Sequence, residues 1–496
     1  RYPLVTGVQT CALPISGKPQ PLNAGLLDSL NSLEKQPAML IPVEEIPVYE
    51  NSYNIKDGFL SASFGRYGIG DFALGYGLKT EGYDINGKAD FNFGSGHVDN
   101  SDFSKFNLQL TSDYIAPLKF FIFGGSRTRT NISYNNTGYK LYSAQNPAER
   151  SINHFAANID VDGNYGGFLF KTGAGFNGFQ LKSNDIKTAD NNFYGYANLN
   201  KFVDKFLLAG NIILDLHSIK GKGANFIQLD GAISYVEEDV SLSGNAGLQL
   251  ASTPDGNDRG GLLIAGAVEY RINKFLTAAG RIKSGLEQKS FMDFYVKNPY
   301  LSNFAGFDYT YDILNLSGIL YFHPYQDLLV SAELKFRHSD RIPVFIDDAG
   351  LLPGSFDITY QSGTIIKSIF EINWQFTQND LITSNITACQ TSLSDFTSKS
   401  ITYNPEFKMS ISYGRNWSEK FGTKIGVTYI GERYSDLDNL RKIDGYLNIG
   451  AEGEFRLSEN LKIFGNLDNL INSDIIIWNG YKEKGIFASV GVRYQF

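Results

Sequence analysis

A single repeat of side-chain alternation, running from Asp57 to Phe496, limits what this chain can fold into. Segments of roughly ten to fourteen residues set apolar against polar positions, and the connections between them are alternately short and long. The last segment is the clearest. Ile486, Ala488, Val490, Val492, Tyr494 and Phe496 share one face, while Gly485, Phe487, Ser489, Gly491, Arg493 and Gln495 share the other. A strand sends successive side chains to opposite faces. Val240, Leu242, Gly244, Ala246, Leu248 and Leu250 oppose Ser241, Ser243, Asn245, Gly247 and Gln249 in the same way. So do Leu447, Ile449, Ala451, Phe455 and Leu457 against Asn448, Glu452, Glu454 and Arg456. Soluble sandwiches also alternate, but their strands usually run ~5–6 residues. Crossing an outer membrane takes ~9–11, and these segments reach that length. Three charges on one polar face suit a wet lumen better than a dry core between sheets.

The connections set the topology. Short ones are expected at Ala116–Lys119, Val203–Lys205, Val236–Asp239, Ile272–Lys274, His323–Asp327, Thr377–Asp380, Trp417–Lys420 and Leu457–Asn460. Longer polar stretches lie between them, at Arg127–Arg150, Ser284–Phe307, Arg337–Gly363, Ser392–Asn404, Arg433–Ile443 and Asn472–Lys484. Short periplasmic turns and longer outer loops are the habit of transmembrane barrels. The reading predicts an all-β fold, a closed antiparallel transmembrane β-barrel of about 22 strands over residues 57–496, with 20 or 24 as neighbouring counts. The last strand should close beside a first strand near Gly58–Arg66, and the protein should be integral to a Gram-negative outer membrane. Phe120, Phe121, Phe206, Phe275, Phe421, Tyr321, Phe322 and Trp417 recur beside short turns, as interfacial girdles require.

Composition agrees. Charged residues are 19%, with 51 Gly, 29 Tyr and 37 Phe, against ~25% charged and ~7% Gly in average globular chains. Aromatics favour strands and Gly favours turns. No run of ~18 apolar residues is present, which excludes a helical membrane protein. A net charge of −8 gives no reason to expect a nucleic-acid partner. Two cysteines, Cys11 and Cys389, are too few for a disulfide framework or a structural zinc site.

The N-terminal region reads differently. Residues Val5 to Ile15, VTGVQTCALPI, resemble a translated sequencing adaptor. Residues 1–16 are therefore expected to be non-native, Cys11 with them, and to have replaced upstream sequence such as a signal peptide. Residues 17–56 carry Pro19, Pro21, Pro37, Pro42 and Pro47 and read as an extended periplasmic lead-in, with a short helical pattern at Leu26–Leu33.

The stretch Asn466–Phe496 resembles the end of a TonB-dependent receptor. The elements that carry the resemblance are Asn469-Leu470, Trp478-Asn479-Gly480-Tyr481, Gly485-Ile486-Phe487 and Tyr494-Gln495-Phe496. Ile486 stands where the family has Arg. The loops, rich in Asn, Asp, Tyr and Lys, look similar to those of Bacteroidota barrels. The resemblance implies uptake of a bulky nutrient across the outer membrane, with no enzymatic activity and no cofactor. The partners it implies are outer-membrane lipid and lipopolysaccharide, the barrel-assembly machinery, and TonB or a surface lipoprotein. It also implies that Val490, Val492, Tyr494 and Phe496 form the assembly signal. One family part, the plug domain, is missing from these residues, because about forty residues ahead of the first strand are too few to fold into it. Three explanations stay open: a plug in lost upstream sequence, a plugless branch whose lumen is filled by loops or a partner, and an open pore. The alternative function is thus a plugless barrel acting as a pore or as a structural subunit of an outer-membrane complex.

Site signals are sparse. The histidines His97, His154, His217, His323 and His338 lack metal-ligand spacing, and no metal site is expected. Asp255-Gly256-Asn257-Asp258 and Asp347-Asp348 do not complete a calcium loop. Arg127/Arg129 and Arg433/Arg441 read as solvated loop faces, with lipopolysaccharide phosphate as the functional alternative. Gly173-Ala174-Gly175-x-x-Gly178 lies within a strand and is no phosphate loop. No catalytic constellation is present. The candidate ligand-contact aromatics are Phe291, Phe294, Tyr295, Tyr300, Phe304 and Phe307, which could equally pack over the barrel mouth.

Overall fold

The computed structural model describes residues 58–119, 124–325, 327–347, 350, 352–394 and 399–496. The expectations for residues 1–16 and 17–56, for Phe120 and Phe121, and for Asp348 lie outside the described residues. One sheet of 22 antiparallel strands forms the wall. It closes where the first strand, Gly58–Gly65, pairs with the last, Phe487–Gln495. At the seam the Gly58 N–H donates to the Phe496 carbonyl (2.9 Å) and the Phe496 N–H donates back (3.0 Å). A Cβ on Gly58 would sit 2.6 Å from the Phe496 ring, so the seam needs glycine there. Closure leaves no edge strand with unpaired backbone groups. Gly58 and Phe496 lie at the same end of the barrel, with the short turns.

Strand facing follows the alternation. Leu229, Leu248, Leu250, Leu262, Leu334 and Val490 are each about 60% exposed on the outer surface. Their neighbours Gln249 and Asp230 are buried on the inner side. An apolar belt continued round the whole wall far exceeds the few hundred Å² that soluble monomers expose. It requires a bilayer, and among bilayers it is the outer membrane that holds such barrels. Phe206, Phe275, Phe322, Phe421 and Trp417 are exposed at the short-turn end of this belt, where a girdle belongs. Tyr321 differs. It alternates with the outward Leu320 and Phe322, so it faces the lumen rather than the interface.

Several expected connections are placed differently. The polar stretch Arg127–Arg150 is mostly wall, with strands at Arg127–Lys140 and Glu149–Tyr165. Its polarity has a structural use, because a wet inner face is tiled with amides. Asn135 donates to Asn107 and accepts from the Thr137 hydroxyl at 3.0 Å. Arg127 and Arg129 therefore sit at the short-turn end, paired with Asp113 and Asp162, and not in an outer loop. The expected turn at Ala116–Lys119 follows the strand that ends at Ile115, and the next described strand begins at Arg127. Wall strands run from 8 to 22 residues, and the longest hairpin, Leu328–Asp347 with Phe356–Thr377, extends far into the stretch expected to be a loop. The glycine cluster at Gly173 and Gly175 is within a strand, as expected. Cβ atoms there would meet the cross-strand rings of Tyr196 and Tyr194 at 2.6 and 2.4 Å.

Candidate functional site: the outer mouth

The long-loop end is closed by a packed core resembling that of a soluble protein. It begins where the strand Leu276–Leu286 ends and residues 287–310 turn inward across the mouth. Ser290 starts a helix, Phe291–Lys297, through a capping box with Asp293. Phe291 and Phe294 lie three apart and so share one face. Both are fully buried. Phe294 packs edge-on against Phe307, and Phe307 against Tyr309.

Hydrogen bonds tie this segment to the wall on several sides. The buried Arg150 donates to the carbonyls of Pro299 (3.1 Å) and Leu301. Asn303 donates to Leu181 O (3.0 Å) and accepts from Ser183 (2.5 Å), while Thr188 reaches the Asn303 carbonyl (2.9 Å). Lys220 donates to Ala305 O at 2.9 Å. Arg259 grips Asp308 through two bonds of 3.1 and 2.7 Å, the bidentate geometry that makes such pairs strong.

Beneath the helix lies a polar network that sequence reading missed. His217 places Nδ1 2.9 Å from Asp190 and Nε2 3.1 Å from Asp215, all three buried. Asp190 accepts the Phe291 N–H at 2.9 Å, and Gln288 donates to Asp215 at 2.5 Å. Both carboxylates thus hold the loop as well as the imidazole. A signal existed: Asp215 and His217 are two residues apart on one strand, and so are Asp190 and Asn192 on the next, which puts all four on the lumen face. A second charged group anchors the loop's start. Arg337 binds Glu287 (2.8 Å) and Asp312 (2.7 Å), and Lys289 also reaches Glu287 (3.1 Å). Burial alone would raise the Glu287 carboxyl. Lys289 and Arg337 outweigh it and hold the group well below the usual range.

The C-terminal loop completes the cap. Tyr481 is fully buried and stacks on Tyr300 with ring centroids 3.4 Å apart. Trp478 packs on Tyr403 (4.6 Å) and Phe356 (5.2 Å). Asn469, buried with φ of 50°, ties the base of this loop. Its amide donates to Ser473 O (2.9 Å) and Lys484 O (3.2 Å), and its oxygen accepts the Ser473 N–H (2.7 Å). The motif residues Asn469, Trp478 and Tyr481 are therefore parts of the roof.

Of the six candidate aromatics, Phe291, Phe294 and Phe307 are buried within this core, and Tyr295 and Tyr300 pack partly buried against it. Phe304 is 43% exposed. Val490, Val492, Tyr494 and Phe496 line the outer surface of the seam. Asp347 is taken up by Tyr403 (2.7 Å) and Asn479 (2.9 Å). Among the described residues, no group of three or more His, Cys, Asp or Glu side chains is placed to hold a metal.

The wall and roof together define a closed 22-strand barrel of the outer-membrane type. The copper transporter OprC superposes with a TM-score of 0.68 at 11% identity, over 90% of this chain and 82% of that one. The FrpB iron transporter from Neisseria meningitidis (F5-1 variant) gives 0.70 at 10% identity, over 90% and 83%. The siderophore receptor PiuA from Acinetobacter baumannii gives 0.66 at 9%, over 89% and 82%. The fold is thus that of TonB-dependent receptor barrels. No protein-family model matches the sequence, and no curated protein matches it.

Proposed function

We propose that this barrel imports a bulky nutrient across the outer membrane, with TonB as the energy-coupling partner and its own loops controlling the outer mouth. The observation that carries this reading is a wall of 22 strands, wide enough to pass a large solute, kept shut outward by a folded core. The copper transporter, the iron transporter and the siderophore receptor of the same fold support it. The test is growth of a Gram-negative host carrying the gene on a panel of metal chelates and oligosaccharides, with and without TonB. A TonB-dependent advantage on at least one nutrient is expected. No advantage on any would sink the uptake reading.

A second reading, a structural subunit of an outer-membrane complex, is favoured by the number of wall strands to which the roof is bonded. A partner copurifying in fixed stoichiometry with the tagged barrel would support it. A barrel that purifies alone under gentle extraction would count against it.

A further inference from the structure

The lumen wall below the roof holds cations that none of the roof's bonds use. In register, Lys335 stands directly opposite Lys367 on the neighbouring strand, and Lys367 directly opposite Cys389 on the next. One lumen position nearer the short turns, Thr387 is opposite Lys408. Leu334, Ile366 and Phe407, adjacent in sequence to the three lysines, are exposed on the outer surface, so the lysines face inward.

Like charges directly opposite each other on a sheet are destabilising, and a wall built for stability alone would neutralise them. Lys335 has Glu333 at 3.3 Å. Arg337, the next inward position, is already committed to Glu287 and Asp312. Glu371, on the Lys367 strand, accepts from Ser331 and Asn385 instead. Among the described residues, Lys367 and Lys408 have no carboxylate within ion-pair distance. Ile365 and Ile369, two residues either side of Lys367 on the same face, offer nothing polar. The wall therefore keeps cationic charge that an arriving anion can neutralise without first breaking an ion pair at Lys367 or Lys408.

We propose that Lys335, Lys367 and Lys408 form a lumenal site for a compact oxyanion carrying two or more negative charges, of the phosphate or polycarboxylate class. This goes beyond the uptake reading and is independent of it, since binding needs only the folded barrel. The experiment is calorimetric titration of the detergent-folded full chain with inorganic pyrophosphate, and separately with citrate, at constant ionic strength. Saturable binding near one equivalent is expected for at least one probe. It should fall tenfold or more in Lys367→Gln/Lys408→Gln and stay unchanged in Lys420→Gln, whose side chain lies in a periplasmic turn. The thermal midpoint gives a second readout. Without ligand, Lys367→Gln should raise it by relieving the like-charge pair, and pyrophosphate should raise the parent's midpoint but not the double variant's. Absence of saturable binding by either probe, or equal binding by parent and double variant, overturns the site. The single variant Lys408→Gln, which leaves the Lys335–Lys367 pair in place, repeats the binding test should the double variant fail to fold.

Discussion

At the residue scale, the roof depends on buried charges that its loops must satisfy. Arg150 is the hub, with donors spent on Pro299, Leu301 and Ser183. Removing a buried charged donor strands its acceptors, at about 1.5–3 kcal/mol for each lost bond. Arg150→Met should leave the wall folded but open residues 287–310 to limited proteolysis. Protection equal to the parent's would show that other anchors suffice. Lys297 gives a pH signature. Burial, with Lys289 beside it, pushes its ammonium down to about 8. A lysine whose folded pKa lies below the unfolded value of ~10.4 destabilises while charged, so its penalty is full below pH 8 and fades as pH climbs toward ~10.4. Lys297→Met should therefore slow hydrogen exchange of residues 291–301 at pH 7, with the gain disappearing by about pH 10.5. An equal gain at both values would assign the effect to packing. The Asp190–His217–Asp215 network marks the limit of legibility at this scale. Alternation puts these side chains in the lumen, but only the register between strands and a loop folded back from far along the chain make them neighbours.

At the element scale, the last strand tests the facing of the wall. Val490 is 60% exposed to the lipid side, while Arg493 points inward over the Phe59 ring at 5.6 Å. A charge on the lipid face near midplane costs ~2–4 kcal/mol, whereas lumen changes are tolerated. Val490→Lys, or deletion of Phe496, should lower the heat-modifiable folded fraction on a gel of isolated membranes, and Arg493→Gln should not. Equal loss in all three would mean the facing is wrong. Most of this level was readable from period-two alternation, which gave the last strand's facing residue by residue. It was unreadable where both faces are polar. Arg127–Lys140 looked like a loop because its inward face is Asn and Ser and its outward face mixes Thr with Ile132 and Tyr134. Binary pattern carries no contrast there, and the amide pairs that hold the strand are visible only across the sheet.

For the whole molecule, strand number and closure were legible because each hairpin leaves a turn. The roof was not, since its contacts join loops from wall strands far apart in sequence, and no local pattern encodes that meeting. Its effect on permeation can be measured. In planar bilayers the intact barrel should conduct little. Replacing residues 288–308 with a short Gly/Ser bridge should produce large, stable channels. Equal conductance before and after would mean that the roof does not seal the mouth.

The Gly58–Phe496 seam has a consequence for how the gene could be arranged. Because the first and last wall strands meet in the same ladder as every other neighbouring pair, the wall is a ring without a distinguished strand. In a chain without residues 1–57, linking Phe496 to Gly58 by a short peptide and opening the chain at the two-residue turn Asp204–Lys205 should yield a circular permutant that refolds in detergent to the same wall. Where such a polypeptide starts would then be a matter of genetic history and delivery to the membrane, not of architecture.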